Sequence, residues 1–432
     1  MNPRPTRGPR SPLARALGLG LILLTPLSLS VPAMADGEAL TLAEAERLAL
    51  REDPVVAASR ARARAMEESA VADGQRPDPK LRTGLYNLPL DDLSLSSQPT
   101  TQWRIGVQQA FPRGESLKYR EGRTRERAAA EEERARVAER TARRAVQENY
   151  LELFYQLEAE RIVRENRGLF AALVDITQAH YGAGRSNQQD VLRAELELSQ
   201  LDDRLNRIQN AADVSRAELS RWIGEAAWRP LSGGLPALPA LPPEARLAAG
   251  LERHPEILRQ SALIGAHRQA VGLAREQYRP GWSLGVEYRK RFGDNPDGSD
   301  RTDMAAVMLT VDLPLFTDKR QDRRLAASQQ QEAAAELDRE DRYRRLRRLL
   351  AREYANWRRL GERERRYTEA LVKAAKENAE ASLNAYQSGT TEFTTLMRAR
   401  ITELDVRLQA LRVRVDRAKA QARLLYLSVE ED

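Results

Sequence analysis

Tyr181-Gly182-Ala183-Gly184 is followed by positions 185–189 and then by Asp190-Val191-Leu192-Arg193-Ala194. Later in the chain, Tyr386-Gln387-Ser388-Gly389 is followed by 390–394 and then by Thr395-Leu396-Met397-Arg398-Ala399. Tyrosine, glycine, a bulky apolar pair, arginine and alanine thus recur at a constant offset of 205 (386 − 181). A long helical pattern enters each copy and another leaves it, so each reads as the tip between two antiparallel helices. A match at fixed offset within one chain implies two repeats, and the rest must be read as two halves.

Outward from the first tip, a proline-free helical pattern covers 115–180; before the second, another covers 319–386. At about 1.5 Å per residue each spans roughly 100 Å, several times the width of a small domain. No single globular core hides such a rod, so it must pack along other rods. The return segments agree. Leu198, Leu201, Leu205, Ile208, Ala212, Leu219 and Ile223 form an apolar stripe after the first tip. After the second, Leu404, Leu408, Leu411, Val415, Ala418, Ala422 and Leu425 alternate spacings of four and three, the seam of a coiled coil.

Each half opens in the same way. A short helix over 41–52, with Thr41 as cap and Glu44 completing a capping box, precedes a helix that begins at Pro54 and reaches 73. Leu251-Glu-Arg-His-Pro255 replays Leu50-Arg-Glu-Asp-Pro54, and a helix then reaches 278. Two strand candidates follow in each half: 80–88 and 102–111, then 282–292 and 304–315. Trp103, Ile105, Val107 and Phe111 alternate with Arg104, Gly106, Gln108 and Ala110. Trp282, Leu284, Val286 and Tyr288 alternate with Ser283, Gly285, Glu287 and Arg289, and Ala305, Val307, Leu309, Val311 and Leu313 also share a face. The Pro-, Gly- and Leu-rich stretch 229–243 reads as the linker between a first repeat, 36–228, and a second, 244–432. The tips fall at 181–190 and 386–395.

Charged residues make up 31% of the 432 and aromatic residues 5%, as expected for long helices. The net charge of +7 includes four arginines among residues 1–35, which hold no acidic residue; without them it is 66 − 63 = +3. The basic runs are mixed with Asp and Glu, so no nucleic-acid partner is expected. With no cysteine, disulfides, thiolate metal sites and a cysteine-linked lipid anchor are excluded. Arg4, Arg7, Arg10 and Arg15, an apolar run over 17–31 and Ala33-Met34-Ala35 have the form of a cleaved export signal, 1–35, with an uncleaved anchor as the alternative.

An exported chain with one-faced strands of about nine to eleven residues fits a tilted crossing of an outer membrane; a small soluble sheet capping the helices is the competing reading. Four strands cannot close a barrel, since about eight are needed before side chains fit inside. An open sheet in lipid would leave backbone groups unpaired, so membrane insertion requires copies to pool their strands.

The tips, the export signal, the strand pair after the first helices of each repeat and the rods together resemble the TolC-like outer-membrane efflux factor family, over roughly 41–428. The resemblance implies a mainly α fold with a small β part. Long coiled-coil hairpins would carry four transmembrane strands per chain, and a homotrimer would close a twelve-stranded barrel in outer-membrane lipid above a periplasmic tunnel. It implies a passive exit duct of a tripartite efflux system, served by a periplasmic adaptor protein and a proton-driven inner-membrane pump, with no cofactor. Arg76-Pro-Asp-Pro79, Asn87-Leu-Pro-Leu-Asp-Asp92 and Gln108-Gln-Ala-Phe-Pro112 resemble the heavy-metal-efflux branch. A type I secretion duct and an exported soluble coiled-coil scaffold are the alternatives.

By the same resemblance, Tyr181, Gly184, Tyr386 and Gly389 would shape the tips, and Arg185, Thr390, Thr391 and Glu392 would line or contact them. Some relatives carry two acidic residues after the second tip, where this chain has Thr395 and Arg398; only the first tip keeps Asp190 at the corresponding place. A gate in which Asp190 or Glu392 pairs with Arg193 or Arg398 is therefore expected, against the alternative of ordinary solvated charges. His180, His254 and His267 are scattered, so no metal site is expected; Met304 and Met308 read as packing residues. No catalytic motif is present, and no enzyme activity is expected.

Overall fold

The computed structural model describes residues 39–429 apart from Glu52; the export-signal reading of 1–35 lies outside the described residues. Each half begins with a capped helix. In α1 (Leu42–Arg51) the Thr41 hydroxyl accepts from the Glu44 N–H at 3.2 Å. Arg229, reaching from the linker, holds the Glu44 carboxyl below its usual range, helped by the Thr41 N–H. α2 (Pro54–Asp73) starts at Asp53, whose carboxylate accepts from Val55 and Val56 N–H at 2.7 and 3.0 Å. The second half repeats the device after α3 (Ser116–Gly182), α4 (Gln188–Ile223) and α5 (Glu244–Gly250) with a different residue. At the start of α6 (Pro255–Glu276), His254 Nδ1 accepts from the Glu256 N–H at 3.3 Å. Its Nε2 lies 3.1 Å from the Tyr426 carbonyl, so Nε2 carries the proton of a neutral ring. The ring is 0% exposed, and burial lowers its pKa to about 4.

The first rod, α3, is 67 residues long, about 100 Å. Its counterpart is interrupted: α7 (Gln321–Arg366) passes through a π-helical turn, Tyr367–Leu371, into α8 (Val372–Gln387). The return helix of the second half is α9 (Phe393–Leu427).

Equivalent cores form in the two halves. Leu40, Ala45, Tyr150, Leu219 and Ile223 pack α1 on α3 and α4, while Leu247, Leu251, Leu346, Leu350 and Leu424 pack α5 on α7 and α9. A longer core joins the halves toward the tips, where Phe170 and Leu173 of α3 meet Leu201 of α4 and Leu396, Leu404 and Leu408 of α9. The coiled-coil stripe accounts for only one buried face of α9. Val413, Ala420, Leu424 and Leu427 are also buried, because α9 is wedged between α3 and α7. Ion pairs reinforce the joint. Glu152 on α3 accepts from Arg412 at 2.9 Å and from Lys419; burial pushes its carboxyl up, but the two cations hold it below the usual range. The segment after α4 is docked on the helices: Leu40 bridges Leu231, and Tyr150 donates its hydroxyl to the Leu40 carbonyl at 2.8 Å.

The strands are β1 (Lys80–Tyr86), β2 (Gln102–Phe111), β3 (Gly281–Arg291) and β4 (Met304–Asp312), all antiparallel in the order β1-β2-β3-β4. The first strand is two residues shorter than expected and the last three shorter. Beyond Asp312, Pro314 has no N–H to continue a ladder. The halves meet at β2–β3, where Phe111 stacks on Trp282 with centroids 3.9 Å apart. β1 and β4 are left as edges.

Candidate functional site

The register places the strand side chains on two unlike faces. Leu81 pairs with Val107, Val107 with Val286, and Val286 with Val307, so four apolar residues cross the sheet in one row. Leu85, Trp103, Ile105, Phe111, Trp282, Leu284, Tyr288, Leu309 and Val311 share that face. Most of its large side chains are exposed; Val307 is 72% exposed. Aromatic rings bound it at both ends, with Trp103 and Tyr288 near the polar loops and Phe111 and Trp282 near the helices. From Trp103 to Phe111 is eight residues, about 27 Å along the strand and less when tilted. That is close to the apolar band of roughly 25 Å between two aromatic girdles seen in membrane barrels.

The opposite face is polar and small. It carries Lys80, Arg82, Arg104, Arg289 and Arg291, with Glu287 and Asp312 as its acidic members and glycines at 84, 106, 281 and 285. Glu287 is shared between Arg289 at 2.6 Å and Arg104 at 3.9 Å, and Arg104 also lies 4.0 Å above the Tyr86 ring. Met304 and Met308 lie on this face of the edge strand. Each is 47% exposed within one chain.

The tips lie at the far ends of the rods and are built alike. At the first, Arg185 N–H donates to the His180 carbonyl at 2.8 Å and Gly184 N–H to Tyr181 at 2.9 Å, with Gly184 at φ +71°. At the second, Thr390 N–H donates to Ala385 at 2.9 Å and Gly389 N–H to Tyr386 at 3.0 Å, with Gly389 at φ +74°. Both are Schellman turns, in which the glycine supplies the left-handed residue that closes the helix. α4 is then capped by Asn187, whose side chain accepts from the Asp190 N–H at 3.0 Å.

The repeat breaks at its tyrosines: Tyr181 is 49% exposed and Tyr386 only 8%. Tyr386 lies edge-on to Phe393, and its hydroxyl is 3.4 Å from His180 Nδ1. Phe393 corresponds in the first repeat to Gln188 and His180 corresponds in the second to Ala385, so Tyr181 lacks both neighbours. Burial, and then the nearby charge of Asp190, push the Tyr386 phenol up.

Between the tips lies an open cleft of about 570 Å³. Arg185, Asp190, Arg193, Tyr386, Gly389, Thr391 and Glu392 line it together with His180. Tyr181, Gly184, Thr390 and Arg398 are not among its lining residues, and Arg398 is exposed on α9. Among the described residues, no ion pair joins Asp190 or Glu392 to Arg193 or Arg398 within one chain. Sequence reading passed over His180 as a scattered histidine; its place directly before the repeated tyrosine was the available signal.

The sequence profile described as outer membrane efflux protein matches residues 46–225 and 247–428. The chain belongs to the outer membrane efflux protein family. Solved structures share its fold: a membrane protein from Pseudomonas aeruginosa (19% identity, TM-score 0.77, covering 89% of this chain and 93% of that one) and the outer membrane protein VceC from Vibrio cholerae (18%, 0.75, 89% and 95%). CusC, solved for conformational changes that accompany folding and transmembrane channel formation, aligns at 15% identity and TM-score 0.73, covering 89% of this chain and 91% of that one. No curated protein matches. Members of the outer membrane efflux protein family are channels rather than enzymes. Among the described residues no helix is long and apolar enough to cross a membrane, which says nothing of strands, and no cluster of His, Asp and Glu could hold a metal.

Proposed function

We propose that three copies of this chain form the outer-membrane exit duct of a tripartite efflux system, closing a twelve-stranded barrel above a helical tunnel in the periplasm. The observation that carries this reading is the sheet: one broad exposed apolar face with an aromatic band at each end, a polar opposite face, and two unpaired edges. Backbone groups at those edges cost several kcal/mol each in lipid, whereas strands pooled from three copies pair all of them. In this reading the repeats are 36–228 and 244–432, joined by 229–243, behind a cleaved signal at 1–35. The adaptor protein meets the tips at Tyr181, Gly184, Arg185, Gly389, Thr390 and Thr391. A proton-driven inner-membrane pump supplies the energy, and the chain itself is passive.

A charge gate at the tips, with Asp190 or Glu392 facing Arg193 or Arg398, forms between neighbouring copies, since none of these pairs within one. Reversing Asp190 or Arg398 raises conductance; unchanged conductance removes the gate from the reading. The metal-cation cargo rests only on the motifs at 76–92 and 108–112.

The duct itself is tested by fractionation and electrophoresis. A heat-modifiable trimer in the outer membrane that conducts in a planar bilayer is expected. A monomer that stays soluble without detergent refutes it and favours the coiled-coil scaffold.

A further inference from the structure

Where the sheet meets the helices, a hollow of about 360 Å³ opens on the polar face. Lys80 and Arg82 of β1 line it from the strand side and Arg120 of α3 from the helix side. Among the described residues none of these three has an acidic partner within ion-pair distance. Arg113 also lines the hollow but is committed: it donates to the Gln277 carbonyl at 2.8 Å and lies 3.7 Å from Asp312. Asp78 is the remaining carboxylate, so four cations face two anions. Glycine makes the space: a Cβ on Gly281 would come within 3.1 Å of the Arg113 side chain.

An independent feature points the same way. Ser116, in the first turn of α3, is 2% exposed and lines the hollow, yet its hydroxyl has no hydrogen-bond partner. A buried hydroxyl left unmatched is costly, and a donor at a long helix's N-terminus is suited to an anion. The helix end itself is partly occupied, because Glu115 N–H donates to Glu276 at 2.9 Å, so the free donor is the serine.

We propose that this hollow is an oxyanion-binding station on the wall of the duct, held by Lys80, Arg82, Arg120 and the Ser116 hydroxyl, and that the transported solutes include small carboxylates or phosphates. Guanidinium forks and a hydroxyl match the oxygens of such groups better than a bare halide. Three copies would place three stations around one lumen. The position on the lumen wall rests on the channel reading; binding does not, so the two fail separately. A free divalent metal cation is not held at this point, where four cations face two anions.

The test is equilibrium dialysis of the detergent-purified full chain against radiolabelled inorganic pyrophosphate, at constant ionic strength set with potassium chloride. Saturable binding is expected, with the dissociation constant raised about tenfold or more in the Lys80→Gln/Arg82→Gln double variant and about threefold in Ser116→Ala, each change removing one or two charge-assisted or hydroxyl bonds. Ser116→Ala alters a single atom and keeps the helix, so it reports even if the double variant assembles poorly. Absent saturation, equal affinity in both variants, or tighter retention of zinc ions than of pyrophosphate at the same hollow overturns the proposal. Loss of bilayer conductance with pyrophosphate binding intact would instead refute the duct.

Discussion

Val307 and Met308 are neighbours on the edge strand β4 and point to opposite faces. Val307 stands level with Val286 and, through it, with Val107, which is four residues from Trp103 and four from Phe111. It therefore lies midway between the two aromatic bands. Arginine at the midplane of a lipid-facing barrel surface costs about 2–4 kcal/mol per chain, whereas lumen positions accept charge. Val307→Arg should thus destabilise a trimer by about 6–12 kcal/mol in all, set by three such sites, and Met308→Arg by far less. Heat-modifiable migration in gels, measured as the temperature at which trimers dissociate, reads the difference. Trimer yield from outer membranes should fall sharply for the first variant and little for the second. Were the sheet a soluble cap, the sign would reverse: Val307 is 72% exposed, and replacing it by arginine in water would be neutral or improve solubility. Equal behaviour of the two variants would refute the membrane assignment of this face.

Gly389→Ala should cost about 1 kcal/mol of stability, because a Cβ there meets nothing within 4 Å and the penalty is the left-handed φ of +74° alone; thermal unfolding would show it, and no change would mean the turn can relax. Glu152→Gln should destabilise by about 1–3 kcal/mol in urea titration, by stranding the mostly buried Lys419 and loosening α3 from α9. Because His254 has a pKa of about 4 when folded against an ordinary 6.5, the unfolded chain binds the proton first as pH falls. Its contribution is intact above about pH 6.5 and is lost progressively toward pH 4, roughly 3 kcal/mol in all. His254→Asn, which keeps a capping side chain, should flatten that slope, and an unaltered slope would assign it to other groups.

The tips were legible because each ends its helix within a few residues, at a glycine that follows a repeated tyrosine. Rod lengths and the alternation of the strands were local patterns too, as was the need for more strands than one chain holds. Other features depended on partners far along the chain. Tyr386 and Tyr181 occupy equivalent sequence positions, yet only one is buried, since Phe393 and His180 reach it from other segments. The stripe on α9 marked one neighbour, while the second buried face appeared only once α7 lay against it. The hollow beside Ser116 draws its charges from β1, α3 and the end of β4, with Lys80 and Asp312 232 residues apart (312 − 80), and no spacing rule links them. Sequence by itself settled what is periodic or short-range, namely helices, turns, strand faces and duplication. Which equivalent residues diverge, and which distant charges share one cavity, was decided by packing, because burial and Coulomb interactions depend on separation in space rather than along the chain.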